Sequence, residues 1–191
     1  MMKNVKELKA RVKKTLIARK KKTLPSKGFA KAAVLLPILE KDGAPYILFT
    51  KRTETVAHHK GEISFPGGVR DKRDRNLLAT ALRETREEIG IPAEKIEVLG
   101  ELDDNVTRVT NFHLTSYVGM LLAPVTYRIS HIEIERVIEA PLTVLRDPSN
   151  FREEIWEIGN ERYPIYFYTY GKDIIWGATA RILKHFLDII S

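Results

Sequence analysis

Three glutamates within little more than one helical turn, Glu84, Glu87 and Glu88, lie between a glycine pair, Gly67-Gly68, and a lone glycine, Gly90. Few local structures accommodate that arrangement. Ile63-Ser64-Phe65 reads as a short strand, stopped by a turn at Pro66-Gly67-Gly68. Over 77–89, Leu78, Ala81, Leu82, Thr85 and Ile89 recur at helical spacing, Gly90 serves as C-cap, and Pro92 lies just beyond. On this helix the glutamates stand at i, i+3 and i+4 and share a face. Like charges at that spacing repel. Arg83 reaches Glu87 but cannot neutralise the whole cluster, so a partly buried face needs a further positive group. Hard divalent cations prefer oxygen ligands and take a few carboxylates, water and substrate phosphates. A carbonyl at the glycine turn would add another ligand. A bare Glu-x-x-Glu-Glu run also occurs on solvated helix faces, but this one follows a strand and a glycine turn and ends in a glycine cap.

The flanking sequence mixes strands and helices. Ala33-Val34-Leu35-Leu36 reads as a buried strand and Tyr46-Ile47-Leu48-Phe49 as its hairpin neighbour, with Asp42-Gly43 in the turn. Strand-like runs follow at 96–99, 114–120 and 163–170. From Asp173 onward the spacing predicts a helix with Ile174, Ala178, Ile182, Phe186 and Ile190 inward, and Trp176 reads as core. Without strict βαβ alternation, this pattern implies an α/β layered fold with a mixed sheet.

Charge divides the chain. The net charge is +7, yet residues 1–28 hold eleven Lys or Arg against one acid, Glu7, which leaves −3 for residues 29–191. The first segment reads as a basic helical arm. Asn4 with Glu7 makes a capping-box-like start, and Val5, Leu8, Val12 and Leu16 form a stripe that must bury on its own domain or on a partner chain, so a homodimer is one expectation. Such an arm can touch nucleic acid, although a solvated face is the plainer reading. The chain has no cysteine, which excludes disulfides and cysteine-ligated zinc. No apolar run is long enough to cross a bilayer and no apolar stretch follows the basic start, so the expectation is a cytoplasmic protein with no membrane partner.

The stretch from Gly68 to Ile91 resembles the Nudix box, with Arg83, Glu84, Glu87, Glu88, Gly90 and Ile91 at matching positions. One extra residue lies between Gly68 and Arg83, the first Glu of the box falls at Asp74, and Thr85 replaces an apolar residue. Leu48-Phe49-Thr50-Lys51-Arg52-Thr53, His59-x-Gly61 and Phe65-Pro66-Gly67-Gly68 resemble the signature of the coenzyme A pyrophosphatase group, with Ala57 where arginine is usual and Thr53 where serine is usual. The resemblance spans roughly residues 30–185. It implies a Nudix fold, a mixed sheet sandwiched between helices, over residues 29–191.

The resemblance also implies a reaction: Mg²⁺- or Mn²⁺-dependent hydrolysis of a pyrophosphate bond in a small nucleoside diphosphate-type substrate. Metal ions offset the substrate's anionic charge and make water a usable nucleophile near neutral pH. The expected metal ligands are Glu84, Glu88, Glu87 and the Gly68 carbonyl, with Arg83 orienting the carboxylates. A base must take the proton from water. Glu133 and Glu135, in a loop-like stretch, are the candidates, with Glu135 preferred; each reads equally as a surface glutamate. Arg52 reads either as a phosphate clamp or as the partner of a nearby acid. His59 would contact substrate or support the glycine turn. Coenzyme A or a thioester is the leading substrate class. ADP-ribose or a dinucleotide polyphosphate is the alternative, and a sensor or nucleic-acid-binding protein with little chemistry is a third reading.

Overall fold

The structure, a computed structural model, describes residues 4–54, 60–107, 111–159 and 161–191. It opens with helix α1 (Val5–Ala18), whose N-cap Asn4 accepts a hydrogen bond from the Lys6 N–H. The hairpin β1 (Ala30–Lys41) and β2 (Ala44–Arg52) turns at Asp42 and Gly43, both at positive φ (52° and 76°) as a two-residue turn requires. β3 (Ile63–Ser64), β4 (Gly67–Val69) and α2 (Leu77–Ile89) follow. Next come β5 (Ile96–Glu101), β6 (Asn105–Thr107), β7 (Phe112–Leu121), β8 (Ile134–Pro141) and the single turn α3 (Leu142–Leu145). The chain ends with β9 (Phe151–Ile158), β10 (Glu161–Tyr170), β11 (Asp173–Trp176) and α4 (Gly177–Ile189).

Among the described residues, eight strands form one mixed sheet along the path β3-β2-β1-β7-β5, with β4 on β1, β6 on β7 and β8 on β2. β1 runs parallel to β7 from Ala30↔Phe112 to Ile38↔Met120 and antiparallel to β2 and β4. Its side chains feed two cores, as expected of a strand buried on both faces. Ala33, Leu35 and Leu39 pack with Ala81 and Ile89 of α2. Ala32, Leu36 and Ile38 join a larger core with Leu8 and Val12 of α1 and Leu183 and Phe186 of α4. The sheet is thus sandwiched between helices.

The stripe Val5, Leu8, Val12 and Leu16 is buried within this chain, with Leu16 lying over Gly100 of β5. Lys9 and Lys13 pair with Glu97, Arg19 with Asp103, and Lys21 with Glu101 and Asp104. The stripe therefore does not itself call for a second chain. No helix among the described residues is long and apolar enough to cross a membrane.

The structure corrects the sequence reading in several places. Gly67 and Gly68 are not a turn: they form β4 and lie flat on β1, where a Cβ at Gly67 would stand 2.4 Å from the Ala33 carbonyl oxygen. The helix expected from Asp173 starts only at Gly177; β11 pairs first with β10, so Ile174 is exposed instead of inward. Trp176 is not core either. It stands half-exposed on the outer face of a three-stranded sheet, beside Phe167 and Trp156. The stretch around Glu135 is not a loop but the start of β8.

Candidate active site

The site forms where α2 lies over the start of β4 and the end of β2. Asn76 caps α2 by accepting from the Ala79 N–H, and Gly90 closes it in the left-handed conformation with its N–H on the Arg86 carbonyl. Thr85, at the box's apolar position, is fully buried and returns its hydroxyl to the Ala81 carbonyl at 2.7 Å, which satisfies it inside the helix.

The three glutamates do not share one environment. Side-chain exposure is 2% for Glu88, 16% for Glu84 and 57% for Glu87. Residues four apart stack on the inner face, whereas the i+3 residue is rotated toward solvent. Burial pushes the Glu88 carboxyl up to about 8, against the opposing pull of Arg52, and burial also raises Glu84. Glu84 stands against Gly68: a Cβ there would come within 2.6 Å of its carboxyl group.

Arg83 is the organiser. Its Nε and Nη2 grip Asp74 at 3.0 Å each, Nη1 lies 2.8 Å from both Glu84 and Glu87, and Nη2 also reaches the Val69 carbonyl at 3.2 Å. The guanidinium holds the Asp74 carboxyl well below the usual carboxylate range, despite its burial. The extra residue between Gly68 and Arg83 therefore leaves an acid in register with the arginine, one carbon shorter than the box's glutamate.

A β-bulge at the start of β8 separates the two candidate acids. The β2–β8 ladder runs from Lys51↔Arg136 to Arg52↔Ile134 and skips Glu135. Glu135 is exposed and pairs with Lys51 at 2.9 Å, so the structure does not bring the preferred base candidate to the glutamates. Glu133 comes instead. Its carboxylate lies 3.9 Å from Arg52, and its charge acts on both Glu84 and Glu88. Its backbone is fixed, with N–H on the Ser130 carbonyl and its own carbonyl accepting from Thr53, while the Ser130 N–H donates to the Glu88 carbonyl. The last turn of α2 and Glu133 are thus tied through Ser130. A bulge carries no sequence mark, which is why spacing alone favoured Glu135. His59 and Ala57 lie outside the described residues.

Among the described residues no three His, Asp or Glu side chains are already gathered as they would be around a metal ion. The fit to a hard cation rests on other features. Glu88 has a buried carboxylate oxygen, Oε2, with no partner, and Glu84 fills the space over Gly68. The charges of Glu84 and Glu133 both act on Glu88, and that of Arg52 opposes them. An all-oxygen donor set of this kind suits Mg²⁺ or Mn²⁺.

Comparison with known proteins places this arrangement. Residues 29–143 match the family model of the NUDIX domain. The chain is 37% identical over 152 residues to a Nudix hydrolase NudL of Photorhabdus laumondii, covering 80% of each. It is 38% identical over 154 residues to the protein of that name from Cronobacter sakazakii, covering 80% of this chain and 79% of that one. Among solved structures, a MutT/nudix family protein from Enterococcus faecalis superposes with a TM-score of 0.59 at 16% identity, over all of this chain and 76% of that one. A C. elegans Ap4A hydrolase gives 0.50 at 20% identity, over 60% of this chain and 81% of that one. At those identities the likeness is one of fold.

Proposed function

The chain belongs to the Nudix hydrolase family and cleaves pyrophosphate linkages, and from that premise we propose that its substrate is coenzyme A or a coenzyme A thioester, cut into 3′,5′-ADP and a 4′-phosphopantetheine fragment. The hydrolytic reading is carried by one observation: the buried Glu88 carboxylate, with an unpartnered oxygen, beside Glu84 at the Gly68 backbone. The coenzyme A reading is supported by the segments 48–53 and 65–68, which flank this site: the first ends at Arg52 and Thr53, the second in β4.

Glu84, Glu88 and the Gly68 carbonyl would hold the divalent cation, with Glu87 at the rim. When bound, Mg²⁺ or Mn²⁺ supplies neutralisation of the phosphate oxygens and a nucleophile usable near neutral pH. The chain's own residues supply the rest. Arg83, anchored on Asp74, keeps the Glu84 carboxylate oriented. Arg52 faces the site with a planar fork suited to two phosphate oxygens. Glu133, in place of Glu135, takes the proton from the attacking water; the water oxygen bonds to phosphorus, and the P–O bond to the departing phosphate breaks with its electron pair on that oxygen.

The test compares kcat/KM for coenzyme A, dephospho-coenzyme A and ADP-ribose with Mg²⁺ and with Mn²⁺, identifying the products. Coenzyme A should be preferred over dephospho-coenzyme A, because a site that pairs the 3′-phosphate leaves cations unpaired without it. A clear preference for ADP-ribose would overturn the substrate and leave the hydrolysis standing.

A further inference from the structure

Arg52 and Arg83 both serve the acidic cluster, but they are held differently. Arg83 makes bonds of 2.8–3.2 Å to three carboxylates and a carbonyl. Arg52 makes no contact that short to the acids it faces. Its Nη1 is 3.7 Å from Glu88 Oε1, and its Nη2 is 3.9 Å from Glu133 Oε2. Both distances exceed the hydrogen-bonding range. Its Nε is buried without a partner, and so is Glu88 Oε2 on the other side of the gap. An arginine and a buried carboxyl group therefore face each other with unused hydrogen-bonding capacity on each. That is an electrostatic pairing without a geometric lock, and leaving buried polar groups unmatched is unfavourable.

Resting on the metal-site reading above, we propose that Arg52 is an internal stand-in for the divalent cation: it supplies the positive charge between Glu88 and Glu133 in the resting site and gives way when the cation arrives. The β2–β8 register shifts at Arg52, and its guanidinium stands between Glu88 of α2 and Glu133 just ahead of β8. Once the cation compensates Glu88, the guanidinium fork is free for a substrate phosphate. Arg52 is thus a positioning residue of the resting site before it is a phosphate ligand.

The idea fixes a sign. A positive charge that stays close to the site weakens binding of a second cation, so removing it must tighten metal binding. A residue that merely braced Glu88 would do the opposite. The experiment measures Mn²⁺ binding to the full chain by electron paramagnetic resonance, without substrate, for wild type, Arg52→Gln, Arg52→Lys and Glu88→Gln. Arg52→Gln should lower the Mn²⁺ Kd by about threefold to tenfold, the scale expected for losing one charge a few ångströms away under water-like screening, and Arg52→Lys should stay near wild type. In EDTA the Tm of Arg52→Gln should fall, and its rise on adding Mn²⁺ should exceed that of wild type.

Unchanged or weaker Mn²⁺ binding in Arg52→Gln overturns the stand-in role alone. Failure of wild type to bind Mn²⁺, or wild-type affinity in Glu88→Gln, overturns the metal site and the stand-in with it. Should Arg52→Gln not fold, wild type still decides. The Arg52 Nε–H resonance, assigned by its loss in Arg52→Lys, must shift on Mg²⁺ titration, and an unmoved resonance rejects the proposal.

Discussion

The Glu84 carboxyl group occupies the space that any side chain at Gly68 would need, with 2.6 Å separating it from a Cβ at that position. No positive φ is involved at Gly68, so the requirement for glycine there is one of room for a functional group. Gly68→Ala should therefore displace Glu84 and cut kcat by ~100-fold, the scale expected for an ångström of misplacement, with the fold retained. Steady-state kinetics beside a circular dichroism spectrum checks this; near-normal kcat would show that Glu84 need not sit against the glycine.

Glu88→Gln should lower kcat/KM by at least ~100-fold, equivalent to about 2.7 kcal/mol at ~1.36 kcal/mol per decade. Its effect on stability runs the other way. Burial disfavours the charged carboxylate, and Glu84 lies one turn away, so the amide should leave the Tm in EDTA unchanged or higher. A lower Tm in EDTA would mean that Glu88 stabilises the metal-free fold.

The pair Asp74 and Arg83 gives a pH signature. The Asp74 pKa is depressed by Arg83 in the folded state, against about 3.9 when unfolded. A depressed carboxylate contributes stability that is present above the unfolded value and lost as pH falls toward the folded one. Asp74→Asn should thus cost about 1.5–3 kcal/mol, the range for a hydrogen bond to a charged group, uniformly between pH 5 and 7. The difference from wild type should shrink progressively below about pH 4. Urea unfolding at several pH values measures it, and a gap that widens in acid would contradict the assignment.

Leu8 of α1 is fully buried, while Ile17 on the same helix is 81% exposed. Leu8→Ala should cost about 2–5 kcal/mol, and Ile17→Ala should stay within about 0.5 kcal/mol. Equal effects in urea unfolding would show that α1 does not dock in solution as it does here.

What the sequence made legible was the local part. Asp42-Gly43, Gly90 and the Val5-Leu8-Val12-Leu16 stripe each declare their structure within a few residues. The errors came where pairing overrides local pattern. Ile174, Ala178 and Ile182 keep helical spacing across Gly177, yet that glycine, at φ 63°, ends a strand paired with β10 before the helix begins. β9, with four charged residues in FREEIWEI, hides as an edge strand. Within the site, Glu84 and Glu88 followed from helical periodicity. The exchange of Glu133 for Glu135 follows from one bulge against β2, a long-range pairing that no local window contains.

The three-stranded sheet also determines what light can report about this molecule. The chain has two tryptophans, Trp156 and Trp176, and both stand on that sheet with their rings 6.3 Å apart and partly open to water. Their emission is therefore a reporter of this sheet, open to added quenchers. A denaturation curve followed by tryptophan fluorescence records the melting of this small sheet, whereas far-ultraviolet dichroism records the whole chain. The two curves coincide only if the sheet and the main body unfold as one cooperative unit.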